Sequence, residues 1–287
     1  MTEIIDTPIQ LGQSYALDVT KCMDFGVYLN AKNLGSVLLP NKLAPTGLST
    51  GDTVEVFLYL DSEDRPVATT QQPLAKVGEF AYLKSVASTD VGAFLDWGLD
   101  KDVLVPFSEQ HRPMEVGRSY LVYLYLNQAD GRITASSKID RFLDDDAPHD
   151  FKPQQPVKLI IANSTDLGFK AIINHSHWGV LYKNEVHQRL SFGQETDGFI
   201  RRIRADGKID LSLQGGQQTR DKYTLLIQNY LEQNGGFAPV HDKTDPQTIA
   251  SLFSMSKGAF KKAIGSLYKE RIIEIGKDGI RLVDKAN

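Results

Sequence analysis

The chain has 287 residues, of which 41% are apolar and 24% charged, and a single cysteine, Cys22. This is an ordinary globular composition, long enough for about two domains, and it excludes a disulfide framework or a multi-cysteine zinc site. The net charge of -4 hides an asymmetry: residues 1–150 carry 12 Lys and Arg against 22 Asp and Glu, residues 151–216 carry 9 against 6, and residues 217–287 carry 11 against 8. A polyanion is therefore repelled by the first half and attracted by the second.

The longest apolar stretch, Tyr120 to Leu126, is about seven residues, far short of the ~20 that span a bilayer. The start MTEIIDTP has neither the basic residues nor the apolar run of a secretory signal. A reduced, cytoplasmic protein with no membrane partner is expected, with Cys22 as a small buried residue.

An internal repeat dominates the first 216 residues. The segments DFGVYLNAKNLGSVLLP from Asp24, DVGAFLDWGLDKDVLVP from Asp90 and DLGFKAIINHSHWGVLY from Asp166 align at offsets of 66 and 76 without gaps. Gly26, Gly92 and Gly168 coincide, as do Gly51, Gly117 and Gly193, then Asp64, Asp130 and Asp206. Short β-branched and aromatic runs such as TVEVFLYL and SYLVYLYL, separated by Gly and Asp, predict strands. DGRITAS and DGKIDLS read as a tight turn entering a strand. Repeated modules of this size predict small barrels that pack on one another. The alternating Phe57, Tyr59, Tyr123 and Tyr125 suit packing better than ligand contact, as does Phe169.

This order of elements resembles the RNA-binding OB domain repeated in ribosomal protein S-1. That resemblance implies an aromatic pair spaced as in FGxF, a histidine at the end of the next strand, and a basic residue in the closing turn. The aromatic slots hold Phe25 and Tyr28 in the first copy, Val91 and Phe94 in the second, and Leu167 and Lys170 in the third. The histidine slot holds Pro40, Pro106 and Tyr182, and the basic turn residue is present as Arg132 and Lys208. In the third copy Arg201 and Arg202 replace Tyr-Leu pairs. With Arg204, Lys208, Lys170 and Lys158 they form a candidate phosphate-binding patch, beside which Tyr182 is a candidate for stacking on a base.

From Thr219 the period changes. TRDKYTLLIQNYLEQ has helical spacing and stops at Gly235-Gly236. Thr244 to Phe253 predicts a second helix with Pro246 in its first turn. MSKGAFKKAIGSLYKERI predicts a third, and IIEIGKDGIRLVD a hairpin turning at Lys277-Asp278-Gly279. Three helices and a hairpin make a winged helix. On the third helix Phe260, Ala263, Ile264 and Leu267 share the core face. Gly258, Lys261, Lys262, Gly265 and Lys269 share the other, where the glycines would admit a ligand backbone between lysines.

Three such barrels followed by this winged helix, with SKGAFKKAIGSLYKERIIEIGKDGIRL as the most specific segment, resemble the bacterial conserved virulence factor B family. The resemblance implies a non-enzymatic RNA-binding protein that influences gene expression, including that of virulence factors. No GxSxG, phosphate loop, HExxH or CxxC occurs, and His175 and His177 have no third ligand at a metal-site spacing. No catalytic residue, cofactor or metal is therefore expected.

The expected fold is multidomain, mainly β then α+β. OB-fold barrels lie over 1–72, 73–143 and 157–216, a linker over 144–156, and a winged helix over 217–287. The expected partner is single-stranded RNA, bound mainly through the third barrel and the winged helix. A DNA-binding regulator using the winged helix and a protein-interaction scaffold are the alternatives.

Overall fold

A computed structural model describes residues 8–143, 150–186, 188–213 and 217–283. The chain divides into two compact units, 1–144 and 145–287.

The first unit holds two closed five-stranded barrels. One is built from β1 (Ser14–Met23), β2 (Gly26–Asn30), β3 (Ser36–Pro40), β4 (Thr53–Leu60) and β5 (Pro66–Thr69), in the order β1-β2-β3-β5-β4. The other repeats that order with β6 (Phe80–Ser88), β7 (Gly92–Asp96), β8 (Val103–Pro106), β9 (Ser119–Leu126) and β10 (Ile133–Ser136). In each, only the contact of the third strand with the fifth is parallel, which is the OB topology.

The repeat in the sequence is a repeat of physical constraints. A register shift interrupts the first strand of each barrel at the same place: between Val19 and Lys21, Ser85 and Ala87, and Ile161 and Asn163. Such a bulge bends one long strand so that it pairs along both edges and closes the barrel. The aligned glycines mark a close approach. A Cβ on Gly26, Gly92 or Gly168 would lie 2.4, 2.3 or 2.0 Å from the carbonyl oxygen of Leu39, Val105 or Leu181.

The first two barrels share a core. Phe57 of β4 is fully buried against Trp97 of the second barrel, ring centroids 5.6 Å apart, and Tyr59 and Val67 join the same cluster. Backbone ties reinforce the contact: Val77 N donates to Gly12 O at 3.0 Å, and Gln13 Nε2 donates to Val77 O at 2.7 Å. Tyr123 stacks on Phe142 at 4.2 Å. These aromatics are packing residues, as their alternation suggested. Cys22 differs from expectation. It is exposed, on the outer end of β1, where residues 20–23 all face solvent beyond the bulge.

The second unit begins with a third closed barrel of the same order: β11 (Pro156–Ser164), β12 (Gly168–Ile173), β13 (His177–Tyr182), β14 (Glu195–Ile203) and β15 (Ile209–Ser212). Its core is Leu159, Ile161, Ala171, Leu181, Ile200 and Leu211. Of the expected linker, residues 144–149 lie outside the described residues.

A winged helix follows. Helix α1 (Gln217–Gln233) ends where Gly235 and Gly236 take positive φ and Gly236 N donates back to Leu231 O at 2.7 Å. Asp245 caps α2 (Pro246–Phe253) by accepting from Thr248 N at 2.9 Å, and Ser256 caps α3 (Lys257–Lys269) by accepting from Ala259 N at 3.1 Å. Strands β17 (Ile273–Ile275) and β18 (Ile280–Leu282) form the wing, and a short β16 (Phe237–Ala238), not foreseen from sequence, pairs with β18. Among the described residues no helix is long and apolar enough to cross a membrane.

Candidate nucleic-acid interface

On the third barrel, strand register assembles one outward face. Lys170 lies opposite Val180, Val180 beside Asp210, and Asp210 opposite Arg202. Neighbouring Ala171, Leu181 and Leu211 point inward and are buried. Lys170 Nζ sits 3.8 Å from the Trp178 ring centroid, a cation–π contact that lays the ammonium over the aromatic.

The centre of the face is Asp210, whose side chain is 1% exposed. Arg202 donates to it from Nε at 3.1 Å and Nη2 at 2.7 Å, Arg204 donates from Nε at 2.7 Å, and the Tyr182 hydroxyl donates at 3.3 Å. Arg204 Nη2 also donates to the Tyr182 hydroxyl. Burial pushes the Asp210 carboxyl up, but the hydrogen bonds from Arg204 and Arg202 together hold it below the usual carboxylate range.

The arrangement corrects the picture of a patch of free cations. Arg202 and Arg204 share one buried carboxylate, and Arg201 is paired with Glu185. Lys158 is paired with Asp197 at 2.7 Å, opposite it in the sheet and five residues along β14 from Arg202, about 16 Å away. Lys158 is thus not part of the face. Lys208 is exposed, 3.9 Å from Asp206. Arg202 still leaves 68% of its side chain in solvent, so the guanidinium has room for a phosphate while Asp210 fixes its plane. The aspartate was missed from sequence. The repeat offsets place it where the other copies have Ala68 and Thr134, and that break in pattern beside new arginines was the available signal.

The winged helix presents a second basic face. Phe260, Ala263, Ile264 and Leu267 are at most 1% exposed. Lys261, Lys262 and Lys269 are exposed and make no ion pair among the described residues. A Cβ on Gly265 would meet nothing within 4 Å, and one on Gly258 only Ser256 Oγ at 3.9 Å. Neither glycine is required by internal packing, although each costs about 1 kcal/mol in a helix.

In the first barrel Phe25 is 53% exposed and lies edge-on to Tyr28 at 6.3 Å. In the second, Phe94 is half-buried, Val91 is exposed, and Arg132 Nη2 is bonded to Asp64 of the first barrel at 2.5 Å.

The family models agree with this architecture. The S1 domain model matches residues 11–71 and 77–138, and the model described as CvfB-like winged helix domain matches residues 226–282. Both are nucleic-acid-binding domain types. The uncharacterized protein YitL of Bacillus subtilis (strain 168) is 29% identical over 281 residues, covering 92% of this chain and 91% of its own. Conserved virulence factor B of Staphylococcus haemolyticus (strain JCSC1435) is 27% identical over 253 residues, covering 83% of this chain and 82% of its own. A solved multidomain protein with nucleic acid binding domains from Streptococcus pneumoniae aligns over 95% of this chain and 98% of that one, at 24% identity and a TM-score of 0.40. With S1 domains in tandem, a CvfB-like winged helix at the C-terminal end, and relatives that run most of its length, the chain shares its domain order with, and is similar over most of its length to, proteins of the conserved virulence factor B family.

Proposed function

We infer that the protein is a non-enzymatic binder of single-stranded RNA that acts in post-transcriptional regulation in the cytoplasm. Binding runs mainly through the outer face of the third barrel and α3 of the winged helix, with the Phe25–Tyr28 pair as an accessory stacking site. The observation that carries this reading is the exposed face of α3, where Lys261, Lys262 and Lys269, without an ion pair among the described residues, flank glycines that packing does not need. A phosphodiester backbone can approach there more closely than any side chain would permit. The Tyr182 ring, held by Arg204 and Asp210, supports recognition of unstacked bases, which single strands offer and duplexes do not.

The test is a binding series with labelled single-stranded RNA, single-stranded DNA and duplex DNA at several salt concentrations. Single-stranded RNA is expected to bind best. Replacing Lys261, Lys262 and Lys269 with Ala should weaken it and reduce the salt slope by about 0.7 per lost phosphate contact. A preference for duplex DNA would favour a DNA-binding regulator, and no salt-sensitive binding at all would favour a protein scaffold.

A further inference from the structure

The first two barrels enclose a cleft of about 340 Å³ on the outer face of the second barrel. Its apolar lining includes Phe94, Trp97, Leu104 and Pro106. The first barrel supplies part of the wall, including Tyr59 and Asp64. Because the two barrels share a core through Phe57 and Trp97, this wall is fixed and the cleft is preformed.

Its charge pattern opposes phosphate. Asp64 bonds Arg132 at 2.5 Å and lies 3.5 Å from Lys101 Nζ, which also donates to Asp61 O at 2.6 Å. Arg132 is the basic residue of the closing turn that the S-1 resemblance implies, and here it is already paired with the Asp64 carboxylate. The lining carries the carboxylates of Asp64, Asp102 and Asp130 against those two cations, so a polyanion meets saturated cations and unspent negative charge. The Asp102 carboxyl is pushed up by burial and, second, by Asp96. A carboxylate that is costly to ionise gains most from a cation placed beside it.

We propose that this cleft is a binding site for a small organic cation with a flat apolar body, an aryl amidine, and that it excludes RNA. The body rests on Phe94 and the charge faces Asp102. This goes beyond the RNA-binding reading, which rests on the second unit.

The experiment uses the full chain and three ligands of nearly identical shape: benzamidine, benzamide and benzoate, titrated at constant ionic strength. Trp97 fluorescence reports binding in a Trp178→Phe background, with calorimetry as a second readout. Benzamidine should bind saturably and at least about tenfold more tightly than benzoate. Asp102→Asn should abolish that preference while leaving RNA affinity unchanged, and RNA should not displace benzamidine. Equal binding of the three, a preference for benzoate, no binding, or displacement by RNA would each overturn the proposal. The isostere comparison on unmutated Asp102 decides even if the variant fails to fold. Loss of RNA binding by the winged-helix lysine variant tests the other reading separately.

Discussion

At the scale of single residues, Asp210 and Gly265 are informative because each carries a cost that the fold alone does not require. A carboxylate 1% exposed is tolerable only with cations around it, and Arg202 and Arg204 supply them. Its depressed ionisation means that its contribution is fully present above the unfolded value near ~3.9 and is lost as pH falls through the lower folded value. Asp210→Asn should therefore destabilise the third barrel by roughly 1–3 kcal/mol at neutral pH, the exposure of Arg202 moderating the loss. The gap between the two proteins, followed by Trp178 fluorescence during thermal melts, should narrow only below about pH 4. A gap that stays constant to pH 2 would mean that Asp210 keeps no special ionisation. Gly265 offers the opposite trade. With open space at its Cβ position, Gly265→Ala should raise stability by up to about 1 kcal/mol. The same methyl should weaken RNA binding if a backbone approaches there. Greater stability with unchanged affinity would remove the glycine from the interface.

At the scale of elements, the third barrel's face combines β12, β13, β14 and β15 around Tyr182, which occupies the slot held by proline in the other copies. Tyr182→Ala should cost ~1–3 kcal/mol of RNA affinity, a factor of roughly 5 to 150. That loss should persist at high salt, because a stacked ring releases no counterions. Tyr182→Phe keeps the ring and should keep most of the affinity. If both variants lose equally, the hydroxyl network rather than the ring is what matters. These elements were legible in sequence to different degrees. The barrels were readable because glycines, aspartates and turns recur at fixed offsets, and α3 was readable because its core and lysine faces separate on the helical period. The pairing of Arg202 and Arg204 with Asp210 was not, because it depends on which residues of β14 and β15 fall opposite each other, and a register shift between Ile200 and Arg202 hides that from counting. Lys158 failed for the same reason: charge totals placed it in the patch, whereas strand register put it against Asp197. β16 escaped notice because two residues carry no period.

At the scale of the molecule, charge and packing differ between the two halves. Residues 1–150 carry a net -10 and residues 151–287 a net +6 by the same count of Lys, Arg, Asp and Glu. The acidic half is also where two barrels are fused through Phe57, Tyr59 and Trp97 rather than strung together. A fused pair makes a prediction that independent beads do not. Leu39 is fully buried in the separate core of the first barrel. Leu39→Ala should cost about 2–5 kcal/mol there. If the barrels unfold as one cooperative body, the loss must appear in the second barrel as well, where Trp97 reports it. In a Trp178→Phe background, the Trp97 fluorescence transition should therefore shift down in temperature. Independent barrels would give two separated transitions, with Trp97 melting where it does in the unmutated protein. The shared core argues against that outcome, since unfolding the first barrel strips Phe57 from the face of Trp97 and exposes an indole that is now 3% accessible.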